Sequence, residues 1–403
     1  MNILTKNTIQ NIIIFLVSFF IYKKFGGTYF TVIPNLALMI LIIIITVFSD
    51  SYKFIKSNQI IPVLIFLIML LTSIFWTNAP VYGLTKILNL VITCIFFYII
   101  YTTITKKFKL FFVTNILFSI LYLLNLYFEF GSFMSLMQSL DLRFRLGMDM
   151  GESISTLHPI SITRYLGFIL LSIFIWFFIK KSNINNLFYF IILPVTIISL
   201  IYMFFSGTKA PILALILCII SFIVLSKLSK RIYSILFFSF GFLAFLTYIN
   251  FDVKSTNLLT KDQKTYVEYR FFSSNKGLED RSYQNTRALN AMDGKNLLFG
   301  SGSGDFAYYY NKKDMRDYPH NIFSEILYEN GVFSLSILFY MFLFIMIRLY
   351  KTTDYISISY CIYFLYFLFN SMFSGDLISN NLVYGFFILA VLNYQNEQKE
   401  ITI

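Results

Sequence analysis

Charged residues are scarce in this sequence. Asp, Glu, Lys and Arg make up 13% of the 403 residues, whereas hydrophobic residues make up 58%. A soluble domain has no reason to carry so little charge, and no stretch resembles a soluble catalytic domain with its own core. The long apolar runs instead predict transmembrane helices, because backbone polar groups in lipid must be satisfied within the chain.

Cysteine and histidine are scarce as well. The three cysteines, Cys94, Cys218 and Cys361, lie in apolar segments and show no paired spacing, so we predict neither a disulfide framework nor a metal cluster. The two histidines, His158 and His320, stand far apart. No Asp-x-Asp and no cluster of His, Asp and Glu is present, which favours a mechanism without a metal or other cofactor.

Apolar segments occupy most of the chain. They lie near 8–22, 30–49, 60–76, 84–101, 109–128, 161–179, 187–205, 210–226, 232–250, 332–349, 355–373 and 380–394. Each approaches the roughly 17–25 residues that a bilayer requires. We therefore expect an all-α, polytopic integral membrane protein with about twelve transmembrane helices, the first of which is a signal-anchor rather than a cleaved signal peptide.

Lysine and arginine predict the orientation of these helices. With the N-terminus in the cytoplasm, five basic clusters fall inside, as the positive-inside rule requires; only Lys23 and Lys24 break the pattern. The net charge of +12 is explained by these loops, so we expect no nucleic-acid partner. Two long extracytoplasmic loops, 129–160 and 251–331, then elaborate a single membrane domain that spans residues 1–403.

Two short helices are predicted within the second loop. The stretch Asp280–Met292 has a capping residue at its start and Gly294 just beyond its end. The stretch Pro319–Asn330 has Pro in its first turn and one apolar face, and the pair Asn330-Gly331 breaks it before the next span.

A polar motif in the same loop carries the most specific signal. Arg281 is followed by a glycine-rich turn, Phe299-Gly-Ser-Gly-Ser-Gly-Asp-Phe306, and then by Pro319-His320-Asn321, an apolar helix and Glu329-Asn-Gly331. Its glycines are Gly300, Gly302 and Gly304. This ordered combination resembles the O-antigen polymerase/ligase superfamily of membrane glycosyltransferases, and the specific likeness covers residues 281–333.

The resemblance implies a bacterial enzyme of the inner (cytoplasmic) membrane whose active site faces the periplasm or the cell exterior. Its substrate would be an oligosaccharide on undecaprenyl diphosphate, with membrane lipid and a chain-length regulator as further partners. His320 would accept the proton of the attacking sugar hydroxyl, and Arg281 would stabilise the diphosphate leaving group.

Other cations are candidates for binding the diphosphate. Lys209 stands in a Ser-Gly-Thr-Lys turn where the superfamily more often has arginine. A lysine keeps the positive charge but lacks the bidentate fork of arginine. Arg164 lies about one turn inside a span, where a cation is costly unless it faces a cavity or an anion. The remaining candidates are Arg287, six residues beyond Arg281, and the pair Arg143 and Arg145 in the first loop.

Three functions remain open on the sequence. The favoured one is a Wzy-type polysaccharide polymerase, which moves a growing glycan of O-antigen, capsule or exopolysaccharide onto a new lipid-linked repeat unit. The second is an O-antigen ligase, which moves the finished glycan onto lipid A-core. The third is a lipid-linked oligosaccharide flippase or transporter. The sequence shows no internal symmetry, and this argues against a transporter because many transporters are built from repeated halves.

Overall fold

The structure, a computed structural model, describes most of the chain. The described residues are 3–25, 32–49, 51–55, 57–130, 159–178, 186–205, 208–225, 276–292 and 296–401. Within these ranges the regular structure is entirely helical, without a β-strand. The all-α prediction is therefore confirmed for the part of the chain that is described.

Thirteen α-helices are found in the described residues. In chain order they are α1 Ile3–Phe25, α2 Val32–Phe48, α3 Ile61–Thr72, α4 Pro80–Lys106, α5 Phe108–Phe130, α6 Pro159–Phe178, α7 Asn186–Phe205, α8 Lys209–Leu225, α9 Lys276–Asn290, α10 Asp305–Asn311, α11 Ile322–Lys351, α12 Tyr355–Ser371 and α13 Leu382–Ile401. Short 3₁₀ helices, Asn58–Ile60 and Ser73–Phe75, extend α3 at both ends.

Five helical stretches of the described residues have the length and apolar composition to cross a membrane. They are Lys6–Phe25, Asn58–Phe75, Pro80–Lys106, Phe108–Phe128 and Ile322–Lys351. Six shorter helices are also apolar. Eleven of the twelve predicted segments coincide with one of these helices; the segment 232–250 lies outside the described residues, so the count of twelve and the loop layout stay predictions.

The helices divide into two compact units. The first comprises residues 1–17, 33–111 and 276–403, and the second comprises residues 18–32 and 112–275. The prediction of one membrane domain stays a prediction, and each unit is described by itself.

The core of the first unit is aromatic. The ring of Phe386 in α13 lies 5.5 Å from Phe97 in α4 and 5.1 Å from Tyr363 in α12, measured between ring centroids. It also stacks on Phe367 of α12 at 5.5 Å. These side chains are all buried, so helices α4, α12 and α13 pack around a common apolar centre.

Hydrogen bonds hold both ends of α4 within the first unit. Near its last turns, Thr102 and Thr103 both donate hydrogen bonds to the carbonyl oxygen of Ser51. Beyond its first residue, Pro80, the N–H groups of Val81 and Tyr82 donate to the carboxylate of Asp314 at 2.8 and 3.0 Å. The predicted topology makes this second end the extracytoplasmic one.

In the second unit, three tyrosines join the helices α1, α5 and α6. Tyr122 lies 5.8 Å from Tyr22 and 4.8 Å from Tyr165 between ring centroids. At the first turn of α6, Thr163 accepts a 2.7 Å hydrogen bond from Thr208, the residue before α8. The first residues of α6 and α8 therefore lie side by side.

The two helices predicted in the second loop exist, but both begin elsewhere. Helix α9 starts at Lys276, so Asp280 lies inside it and does not cap it. Helix α11 starts at Ile322, and Asn321 rather than the Pro319 region provides its cap. The predicted break is confirmed, because Gly331 has non-helical dihedral angles (φ 75°, ψ −176°) within α11.

Candidate functional site

The glycine-rich turn packs directly on the first half of α11. The N–H groups of Ser301 and Gly302 donate to the carbonyl oxygens of Tyr328 and Glu329 at 2.9 and 2.8 Å. These carbonyls are available because the helix breaks at Gly331 and leaves its last turn without internal donors. The turn therefore serves as a C-terminal cap for the half-helix 322–330.

The other side of the turn contacts the connection between α3 and α4. Ser73 and Ser303 share a 2.7 Å hydrogen bond through their hydroxyl groups. The hydroxyl of Thr77 donates to the carbonyl oxygen of Ser303 at 2.9 Å, and the indole N–H of Trp76 donates to that of Gly300 at 3.2 Å. The motif is thereby held between the α3–α4 connection and the half-helix 322–330.

Asp305, the first residue of α10, closes this arrangement. Its Oδ1 accepts hydrogen bonds from the backbone N–H and the side-chain amide of Asn78 at 3.1 and 2.8 Å. Its Oδ2 accepts one from the hydroxyl of Tyr328 at 3.0 Å. Asp305 thus joins the α3–α4 connection to the half-helix and is buried.

His320 stands immediately before the N-cap of α11. Its φ of 61° lies in the left-handed region, which few residues other than glycine adopt. The side chain of Asn321 accepts from the N–H of Phe323 at 2.9 Å and of Ser324 at 3.4 Å. The imidazole ring meets the ring of Tyr318 edge-on at 4.6 Å and remains half-buried.

A buried ionic cluster lies on the same half-helix. The Nζ of Lys86 in α4 is 2.5 Å from Oε1 of Glu325 and 2.8 Å from both carboxylate oxygens of Glu329. All three side chains are at most 2% exposed. Glu325 also accepts from the N–H of Leu377 at 3.4 Å. Ionisable side chains within membrane helices are costly, which marks this cluster as a functional candidate.

A second ion pair lies four residues before His320. The guanidinium of Arg316 binds the buried carboxylate of Asp376 through Nε and Nη2, both at 2.9 Å. Tyr82 donates to the same carboxylate at 2.6 Å, and the hydroxyl of Ser379 donates at 2.6 Å. The guanidinium carbon of Arg316 also lies 5.6 Å from the centre of the Tyr318 ring, which in turn contacts His320.

The charges of this pair are fixed by their surroundings. Burial alone would raise the pKa of the Asp376 carboxyl, but Arg316 and the hydrogen bonds from Ser379 and Tyr82 hold that pKa well below its usual range. Burial alone would lower the pKa of Arg316, but the attraction of Asp376 outweighs it and raises that pKa. Both groups therefore stay ionised at neutral pH.

The two cations predicted from the sequence of the large loop, Arg281 and Arg287, both lie in α9. Arg287 places its guanidinium carbon 4.7 Å from the ring centre of Tyr310 and 5.6 Å from that of Tyr309. Ala288 packs with Phe306 and Tyr328 in a small apolar cluster, which fixes α9 against α10 and α11.

The other predicted residues are placed only in part. Arg281 lies in α9, and its backbone alone is described. In the second unit, Lys209 begins α8 and Arg164 is buried in the first turns of α6; each follows one of the hydrogen-bonded threonines. Two further candidates, Arg143 and Arg145, lie outside the described residues, as does His158.

The first unit thus contains several groups that can do chemistry. His320 can accept a proton, Arg316 and Arg287 carry positive charge, and the glycine-rich turn fixes the helix that His320 precedes. Sequence reasoning missed Lys86, Arg316 and Asp376. The rule that singled out Arg164, a cation inside a predicted span, would have found Lys86 as well.

The apolar helices of the described residues fit a multi-pass membrane protein. The family model Wzy_C, described as O-antigen ligase, matches residues 194–340. This match confirms the resemblance to the O-antigen polymerase/ligase superfamily and fits a bacterial membrane glycosyltransferase that acts on lipid-linked oligosaccharides. It fits polymerase and ligase equally and gives no support to a flippase or to a chain-length regulator. A comparison with curated proteins found no match.

Proposed function

We propose that this protein is a polysaccharide polymerase. It transfers a growing glycan from undecaprenyl diphosphate to a hydroxyl of a new lipid-linked repeat unit, at the extracytoplasmic side of the bacterial inner membrane. The observation that carries the proposed glycosyl transfer, which a polymerase and a ligase share, is the placement of His320, in a left-handed conformation between Tyr318 and the N-cap of α11, inside the family-matched region.

The proposed reaction follows from the residues of the site. His320 takes the proton of the acceptor hydroxyl while the new glycosidic bond forms. The bond between the sugar and the diphosphate breaks at the same step, and the diphosphate leaves with additional negative charge. Arg281 and Arg287 on α9 stabilise that charge.

The experiment is transfer by purified protein in proteoliposomes with undecaprenyl-diphosphate-linked repeat units. Wild-type protein should extend the lipid-linked chain without lipid A-core, and His320→Ala should lower the rate by about 10²–10⁴-fold, the usual contribution of a positioned acid–base group. The lipid-linked single units should then remain unextended, although the proteoliposomes contain as much of the variant as of the wild type. Wild-type protein that transfers glycan only when lipid A-core is added would instead identify a ligase.

A further inference from the structure

The cluster of Lys86, Glu325 and Glu329 has no role in the reaction proposed above. Glu325 and Glu329 are one helical turn apart and therefore lie on one face of α11. Both bind the same ammonium group, and none of the three side chains is more than 2% exposed. Lys86 of α4 thus binds carboxylates from two successive turns of the half-helix 322–330.

Stability alone does not explain this cluster. Burying charged groups is costly, and a buried ion pair can often be replaced by apolar side chains of similar volume without loss of stability. A membrane helix has abundant apolar alternatives at these positions. The cluster is more directional than such packing, because three hydrogen bonds fix the lysine relative to both carboxylates.

The half-helix is held at each of its ends as well. Asn321 caps its first turn, and Gly331 ends it with non-helical dihedral angles. The backbone of Ser301 and Gly302 binds its last carbonyl groups. Because the half-helix is short and fixed along its length, the position of His320 directly before it follows from the position of the whole segment.

We propose that Lys86, acting through Glu325 and Glu329, is a positioning residue that holds His320 where the acceptor hydroxyl is deprotonated. This inference rests on the polymerase function proposed above. A misplacement of about 1 Å can cost about 10²-fold in rate even when the change lies away from the reacting atoms. Loss of the cluster therefore slows transfer by displacing His320, with membrane insertion intact.

A double-mutant cycle tests the proposal. The cluster is replaced without leaving a buried charge, by Lys86→Met, Glu325→Gln and Glu329→Gln together, and His320→Ala is introduced into the wild type and into this triple variant. The triple variant should lower the transfer rate about 10²-fold. The loss caused by His320→Ala should then be smaller in the triple variant than in the wild type by about the factor that the triple variant has already lost, since groups that act as a unit are non-additive.

The alternative outcomes are distinct. If His320→Ala costs the triple variant the same factor as the wild type, or if the triple variant transfers at the wild-type rate, the cluster does not position His320. If His320→Ala is harmless in the wild type, the inference also fails, although polymerase activity stands. A wild-type protein without transfer activity would instead remove the proposed function itself.

Two further variants keep the test decisive. Lys86→Arg retains the positive charge beside the two carboxylates, but its planar fork cannot occupy the point held by an ammonium. The same cycle with Lys86→Arg applies if the triple variant fails to insert. Asp354→Asn is the control, because Asp354 caps α12 away from the cluster. In the Asp354→Asn background His320→Ala should keep its full effect.

Discussion

Gly331 and Leu298 are in direct backbone contact. A Cβ atom added to Gly331 would stand 2.2 Å from the carbonyl oxygen of Leu298, and the φ of Gly331 is 75°. The turn approaches the half-helix equally closely from its own side, because a Cβ atom added to Gly300 would lie 2.2 Å from the carbonyl carbon of Glu329. The glycine of the Glu-x-Gly motif and the first glycine of the turn are therefore two halves of one close approach.

The first prediction concerns this approach. Gly331→Ala should destabilise the protein by about 1–3 kcal/mol, the usual cost of a strained backbone conformation. The contact of the added methyl group with Leu298 should increase this loss. Thermal unfolding in detergent, followed by size-exclusion chromatography, measures the effect. Ser336→Ala, at an exposed position further along α11, is the control and should change little. An unchanged unfolding midpoint for Gly331→Ala would show that the close approach is absent.

The second prediction separates the structural from the chemical role of Asn321. Asn321→Ala should cost about 0.5–2 kcal/mol of stability, because the N-cap is lost. Asn321→Asp and Asn321→Ser keep a capping oxygen and should retain most of the transfer rate. If both capping variants are as inactive as Asn321→Ala, the amide group contacts substrate and the cap is not its main contribution.

The third prediction is a pH dependence. Because the pKa of Asp376 is lowered in the folded state, its stabilisation is complete above the unfolded pKa of about 3.9 and is lost as the pH falls below that value. Arg316 stays charged throughout this range. Asp376→Asn should lower stability by about 3 kcal/mol, near the lower end for breaking a buried pair, since Arg316 is 31% exposed.

The measurement is the difference in unfolding midpoint between wild type and Asp376→Asn at several pH values. The difference should be constant between about pH 5 and 8 and shrink below about pH 4. Asp354→Asn provides a matched comparison at another acidic residue. A difference that instead grows on acidification contradicts the charge assignment of the ion pair.

The fourth prediction concerns Arg281 on α9. Arg281→Ala should abolish polymer formation, and Arg281→Lys should restore it only in part, because a planar guanidinium matches two phosphate oxygens and an ammonium does not. Gel analysis of the polysaccharide reports the result. A normal ladder from well-expressed Arg281→Ala protein would exclude Arg281 from the site.

Much of the helical architecture could be predicted from the sequence. Long apolar runs have one stable backbone conformation in lipid, so each described run is a helix. The break at Gly331 was also predictable, because Asn-Gly rarely continues a helix. The start of α11 was not predictable. Pro319 favoured an earlier first turn, but the left-handed backbone of His320 prevents the helix from extending back to Pro319, so Asn321 is the N-cap.

The site was predictable only where residues are neighbours in the sequence. The motif placed the glycine-rich turn, His320 and Asn321 in one segment. The partners of that segment come from distant helices: Lys86 reaches it from α4, and Asp376 from the connection before α13. Such pairs depend on tertiary packing, and a single sequence gives no register between helices.

The stretch from Leu297 to Val332 is closed at its base. The N–H of Val332 donates to the carbonyl oxygen of Leu297 at 2.9 Å, so the chain leaves the motif where it entered. An exchange of such a segment between related chains leaves the two points of attachment at the same distance from each other. The motif with its half-helix is thus a defined segment to exchange in chimeras between related chains.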